Sequence, residues 1–253
     1  MSIINEAQWL SYEREGYIRL GSVLCEEDLK NLQDEINAIM LGKVKIPYDK
    51  LLMQLDSADG KYENAGAMTK GWKGETLAYR KIQELEHDPL FLEFMQRPIF
   101  QEICAKIYGE TTPVASFRAM FMNKPARQGT LLPWHQDRWT DLDRDPLITL
   151  WTALDPATKE NGCVQVIPRS HKLGLINPSH PSAFLTEEQA RQHTSESETV
   201  YVEMEAGESV LLHNWLLHRS DTNATDTPRR AFSVCYMEGR TISKSGTTFH
   251  QVF

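Results

Sequence analysis

The chain has 253 residues, with Lys+Arg 27 against Asp+Glu 35 and a formal net charge of -8. That length can bury a substantial core, and one elaborated domain over 1–253 accounts for it better than two. The acidic balance, unrelieved by any long basic run, argues against a nucleic-acid partner, and no apolar stretch is long enough to span a bilayer. Met1-Ser2-Ile3-Ile4-Asn5-Glu6 lacks the basic and apolar regions of a leader, so a cytoplasmic protein with no obligatory protein partner is expected.

The chain reads as a helical front, to about residue 110, followed by a strand-rich back over about 111–240. Leu29, Leu32, Ile36 and Met40 recur at helical spacing behind Glu26-Glu27-Asp28, acids that suit a helix N-terminus. From Gly42 to Gly74 the periodicity is lost and Asp and Gly accumulate, which predicts a long mobile loop and a candidate lid. A helical segment follows from His87 to Tyr108. Short strands are then predicted over Thr112–Met122, Leu147–Leu154, Gly162–Ile167, Glu198–Glu203, Glu208–His213 and Arg230–Met237. The interval 173–197, with Pro178, Pro181 and a polar helix-like Thr186–Arg191, reads as an excursion across the mouth of a barrel. Cys25, Cys104, Cys163 and Cys235 are scattered among apolar residues without C-x-x-C spacing, the pattern of buried free thiols.

His135-Gln136-Asp137, a distant His218 and Arg229 carry the chemistry. On an extended segment His135 and Asp137 face one side while Gln136 points away, and a histidine from a neighbouring strand completes three ligands for one face of an octahedral metal. The three positions left open are those a non-heme Fe(II) oxygenase needs. Arg229, eleven residues after His218, offers a planar fork to a carboxylate. His213 competes with His218 as the second histidine, because both end the same apolar run. Arg230 adjoins Arg229 on a strand, so only one of the two can reach the pocket. His171 lies in a turn and reads as structural, and Asn223-Ala224-Thr225 as a chance sequon.

The stretches Met120–Pro125, Trp134–Asp137, Leu150–Leu154 and Asn161–Lys172, then His218-Arg219-Ser220 and Arg229, resemble the phytanoyl-CoA dioxygenase family in order and spacing, from about Gly16 to about Tyr236. The resemblance implies a mainly β chain with flanking helices, built on a double-stranded β-helix, the cupin-like jelly roll. It implies Fe(II), 2-oxoglutarate and O2, with His135, Asp137 and His218 as iron ligands. Arg229 and Ser220 would then contact the 2-oxoglutarate carboxylate, with Lys81, Met120 and Trp151 around the same cosubstrate. Related halogenases leave the carboxylate position empty, and Asp137 fills it here, which favours hydroxylation with release of succinate and CO2.

For the substrate, an inward face through Ser116, Arg118, Met120 and Met122 puts Arg118 in the same cavity, and a guanidinium there needs an anion. A small anionic metabolite is expected, with Gln136, Arg138, Trp139 and Trp134 as further candidates around it; the rival reading pairs Arg118 with a structural acid. Two other functions stay open: a non-catalytic metal-binding jelly roll, and a zinc hydrolase using the same ligands.

Overall fold

The computed structural model describes residues 3–181 and 183–253; Met1-Ser2 and Ser182, the last within the 173–197 excursion, lie outside the described residues. Helix α1 (Glu6–Glu15) starts at a capping box between Asn5 and Gln8 and ends at Gly16, whose φ of 84° suits a residue without Cβ. Strand β1 (Tyr17–Ser22) leads into α2 (Glu26–Met40), which buries Leu32, Ile36 and Met40 as its spacing predicts and Ile39 besides, while Leu29 is half-buried. Cys25 departs from expectation. It is exposed and caps α2, its Sγ accepting the Asp28 N–H at 3.4 Å, whereas Cys104, Cys163 and Cys235 are buried free thiols.

The segment from His87 to Tyr108 is two helices rather than one, α3 (Pro89–Met95) and α4 (Pro98–Tyr108). Pro98 has no N–H to donate and its ring forces Arg97 into extended backbone (φ -61°, ψ 142°), so the helix stops and restarts. A larger correction concerns 42–74. Part of this presumed loop forms β2 (Leu52–Leu55) and β3 (Thr69–Lys70), which join β4 (Tyr79–Gln83) in the main sheet. Strands this short show no measurable period in sequence, and Leu51 and Met53 are nonetheless fully buried.

The remaining strands are β5 (Val114–Lys124), β6 (Leu132–His135), β7 (Ile148–Ala153), β8 (Val164–Val166), β9 (Val200–Val202), β10 (Glu208–His213), β11 (His218–Ser220), β12 (Arg229–Glu238) and β13 (His250–Gln251), with helix α5 (Glu187–His193) inside the excursion. Six of them match the strands predicted from sequence to within two residues at either end. Among the described residues, a large sheet runs β1-β10-β7-β12-β5-β4-β2-β3, with β13 also on β5, and a smaller one runs β6-β11-β8-β9. Every pairing in both is antiparallel.

Two cores follow from the alternation of the central strands. Phe232, Val234 and Tyr236 of β12 point to the helices, where Phe232 meets Phe91 and Phe94 with ring centroids 4.7 and 5.7 Å apart and the Tyr236 hydroxyl donates to the Met95 carbonyl at 2.7 Å. Ala231 of the same strand lies in the second core with Trp151, Val164, Val166, Val210 and Leu212, between the two sheets. Arg230 shares the helix-facing parity, and its Nε and Nη2 grip Asp155 at 2.8 and 2.6 Å while Nη1 reaches Asn37 of α2 at 2.9 Å. This clamp ties α2 to the sheet. Arg230→Ala should therefore lower stability by about 2–4 kcal/mol, because it strands a mostly buried carboxylate. Urea denaturation of the variant, beside an unchanged requirement for an oxo-acid, checks it.

Candidate metal and oxo-acid site

Pairing of β11 with β6 sets His218 directly opposite His135, and the two imidazole centroids are 4.0 Å apart. Their Nδ1 atoms lie 2.8 Å from the Pro133 carbonyl and 2.9 Å from the Leu216 carbonyl. A carbonyl only accepts, so each Nδ1 carries the proton and each Nε2 keeps a lone pair for a metal. Asp137 follows β6 in extended backbone, held by its N–H to the Asn214 carbonyl at 2.6 Å. Its carboxylate oxygens stand 4.0 Å from His135 Nε2 and 3.8 Å from His218 Nε2. The three ligand atoms all lie within 4.8 Å of one another, a set that can hold an ion. Burial, reinforced by the neighbouring His218, holds His135 well below the usual imidazole range, in the neutral form that a ligand must have.

His213 is elsewhere. It ends β10 with its ring 5.0 Å from His171, its Nδ1 accepts the Trp215 N–H at 3.0 Å, and burial pushes it down to about 4.

One cavity joins the metal ligands to Lys81, Arg118, Met120, Trp139, Trp151, Ser220 and Arg229. Arg229 has the inward parity of Ala231, Ser233 and Cys235 and is 2% exposed, yet its Nε and Nη1 have no hydrogen-bond partner. Its guanidinium carbon lies 5.4 Å from the Trp151 ring, and the Trp151 Nε1 is likewise buried and unpartnered. Burial brings Arg229 down to about 10, which leaves it a cation at neutral pH. Lys81, opposite Met122 on β5, is brought down to about 7 by burial, then by the charges of Arg80 and Arg118. Donors left without acceptors in so enclosed a place fit a carboxylate-bearing guest.

Arg80 and Lys124 were not anticipated. Both line a smaller recess beside Arg229; Arg80 bonds Gln54 Oε1 at 2.9 Å, and the Lys124 ammonium donates to the Thr130 carbonyl at 2.6 Å. The basic pair Arg80-Lys81 was the available signal, but β4 itself had gone unread. Phe184 was also missed. Its ring is 5.1 Å from His135 and 5.2 Å from Tyr62, so the 42–74 and 173–197 segments meet beside His135.

Three expectations about the rim fail. Gln136 is fully buried and committed to backbone, donating to the Gly174 and Trp215 carbonyls and accepting the Ile176 N–H, each at 2.8 Å. Arg138 turns from the cavity to Asp145 at 3.5 Å and the Pro178 carbonyl at 2.9 Å. Trp134 packs with Ile167 and Leu217 under the Arg219 guanidinium. Ser116 is a fourth correction, since a register shift between Cys235 and Tyr236 sets it opposite Tyr236, on the helix-facing side, while Arg118 stands opposite Cys235.

The family model for phytanoyl-CoA dioxygenase matches residues 12–231. The chain belongs to that family. It is 28% identical to a probable phytanoyl-CoA dioxygenase of Caenorhabditis elegans over 98% of this chain and 80% of that one. It is 31% identical to phytanoyl-CoA dioxygenase domain-containing protein 1 of Danio rerio, over 94% of this chain and 91% of that one. The structure of EctD from S. alaskensis with 2-oxoglutarate and 5-hydroxyectoine superposes at a TM-score of 0.71 and 18% identity, covering 94% of this chain and 77% of that one. The cupin-like jelly roll is the fold they share. As a family member the chain is a non-heme iron, 2-oxoglutarate-dependent dioxygenase. No helix among the described residues is long and apolar enough to cross a membrane.

His218→Ala should lose Fe(II) binding, because the remaining two ligands leave a solvent-accessible ion weakly held, while His213→Ala should keep it. Iron content after anaerobic loading separates the two, and equal loss in both would overturn the ligand assignment.

Proposed function

We propose that this dioxygenase hydroxylates a small anionic metabolite, consuming 2-oxoglutarate and O2 and releasing succinate and CO2, with His135, Asp137 and His218 as the iron ligands. The carrying observation is the enclosed, unpartnered guanidinium of Arg229, at the far end of the cavity that holds those ligands. A metal-stabilised binding module would have no use for such a group, and a hydrolase would need no clamp for an oxo-acid. Bound iron and 2-oxoglutarate supply the oxidant that takes a hydrogen atom from the substrate.

The protein's part is binding, orientation and exclusion. Arg229 offers two donors in a fixed fork to the distal carboxylate, and Ser220 adds a hydroxyl from β11, the strand that also carries His218. Trp151 presents its unpartnered Nε1 to the same space, and Lys81 adds a cation from β4. The Pro133 and Leu216 carbonyls fix the imidazole tautomers before any metal arrives. The Phe184 ring packs edge-on against the His135 imidazole.

Support for an anionic substrate comes from Arg118. Its guanidinium is enclosed, lies 5.1 Å from the Phe117 ring and 4.7 Å from the Trp139 ring, and has no hydrogen bond or ion pair to any described residue. The rival reading required a structural acid, and none is within ion-pair distance among the described residues.

Arg229→Ala should raise the 2-oxoglutarate requirement far more than the substrate requirement, by ~2–4 kcal/mol or about 30- to 1000-fold. Anaerobic titration of the Fe(II) protein, followed through its weak visible charge-transfer band, measures this; an unchanged midpoint would exclude Arg229 as the clamp. Arg118→Met should leave that band and the uncoupled decay of 2-oxoglutarate nearly unchanged while weakening the binding of anionic substrates. A lowered melting temperature with joint loss of both functions would instead return Arg118 to a structural role.

A further inference from the structure

A second space of about 160 Å³ lies between the end of β4, the irregular part of β5 and the C-terminal segment. Arg118 lines both spaces and, among the described residues, is the only cation lining this outer one; the other charged groups there are Glu84, Glu86 and Asp141. The Asp141 carboxylate is committed to Ser243 and Ser245 at 2.5 and 2.9 Å. Glu86 is engaged only by another acid: it is 8% exposed, its carboxyl shares a hydrogen bond with Glu84, and its Oε2 has no hydrogen-bond partner. Ser116, at 1% exposure, adds a buried hydroxyl that also lacks one. Glu84 sits at φ 68°, a left-handed conformation that a glutamate adopts only where its surroundings hold it. Burial, then the charge of Glu84, pushes Glu86 up to about 8, the condition of two acids sharing an enclosed place without a cation.

A cation that answered these acids would be organic rather than metallic. Among the described residues only His135, Asp137 and His218 bring three ligand atoms within 4.8 Å, so the acids of this cleft are not spaced as a metal site. The Phe117 and Phe249 rings, 5.8 Å between centroids, give the cleft an aromatic wall that suits an ammonium on a carbon chain.

We propose that the substrate is a small zwitterion, its anionic group on Arg118 and its basic group in the adjoining cleft between Glu84 and Glu86. The proposal rests on the anionic-substrate reading above and adds the opposite charge beyond it. It narrows the substrate class to amino acids and related amine-bearing acids, and it excludes simple fatty acids.

The test is calorimetric titration of the anaerobic Fe(II)/2-oxoglutarate protein with the ω-amino acids from 3-aminopropanoate to 8-aminooctanoate, beside the plain acids from propanoate to octanoate. At the length that spans the two subsites the amino acid should bind about 10-fold more tightly than its plain counterpart, the worth of one charge-assisted pair. Glu86→Gln, nearly isosteric, should erase that preference and leave the plain acid's affinity unchanged. Glu84→Gln provides a second variant should the buried substitution fail to fold. Arg118→Met should weaken both series together. Lack of an amine preference at every length, or a preference that survives in both glutamate variants, overturns the zwitterion. Loss of preference with Arg118→Met leaving the plain acids untouched would overturn the anionic reading beneath it, and absence of the charge-transfer band would indict the enzyme assignment instead.

Discussion

Strand β12 belongs to two cores at once, and its strict alternation is the constraint from which the site follows. Phe232, Val234 and Tyr236 are drawn to the helices, so Arg229, Ala231, Ser233 and Cys235 must face the cavity. Slipping this strand by one residue would bury the Arg230 clamp between the sheets and turn Arg229 toward α2. The helical packing of the aromatic residues thus fixes the direction of a guanidinium that none of them touches. It is fold energy, spread over Phe91, Phe94 and Phe100, that keeps a desolvated cation in place without a protein counter-ion.

The smaller sheet works on the same principle with less redundancy. His135 and His218 are cross-strand neighbours, and the carbonyls that orient them come from residues two positions upstream, Pro133 on β6 and Leu216 just before β11. Ligand geometry is therefore local to one strand pair. Asp137 is different, since it lies past the end of β6 and depends on Asn214, which in turn bonds Thr149 on the large sheet and the Pro146 carbonyl just before it. The third ligand is thereby the point at which the two sheets are registered against each other.

Legibility in the sequence tracked how long and how regular each signal was. The long central strands and α2 could be read because their apolar residues repeat over several turns or pleats, and the parity argument separating Arg229 from Arg230 needed only that period. Spacing together with the family resemblance singled out His135, Asp137 and His218, which the structure brings within reach of one ion, although spacing alone left His213 and His218 equal. What escaped was decided by pairing rather than pattern. Strands β2 to β4 are too short for a period, and Arg80 was lost with them. The register shift in β5 defeated the simple alternation assumed for Ser116, because one extra residue changes a face and leaves no mark in composition. Arg138 and Trp134 flank the metal motif, yet neighbours in sequence on extended backbone diverge in space.

Gln136 carries a consequence of its own. It stands between two candidate metal ligands, and its carboxamide holds Gly174, Ile176 and Trp215, two of them in the excursion that brings Phe184 against His135. Such a grip needs a donor and an acceptor on one planar group, so a glutamate of the same size would turn an attraction to the Gly174 and Trp215 carbonyls into a repulsion. The candidate ligands and the excursion are consequently fastened to the same three residues of chain. Anything that loosens the excursion pulls on the spacing of His135 and Asp137, and tension on those ligands is transmitted outward along the same short tether.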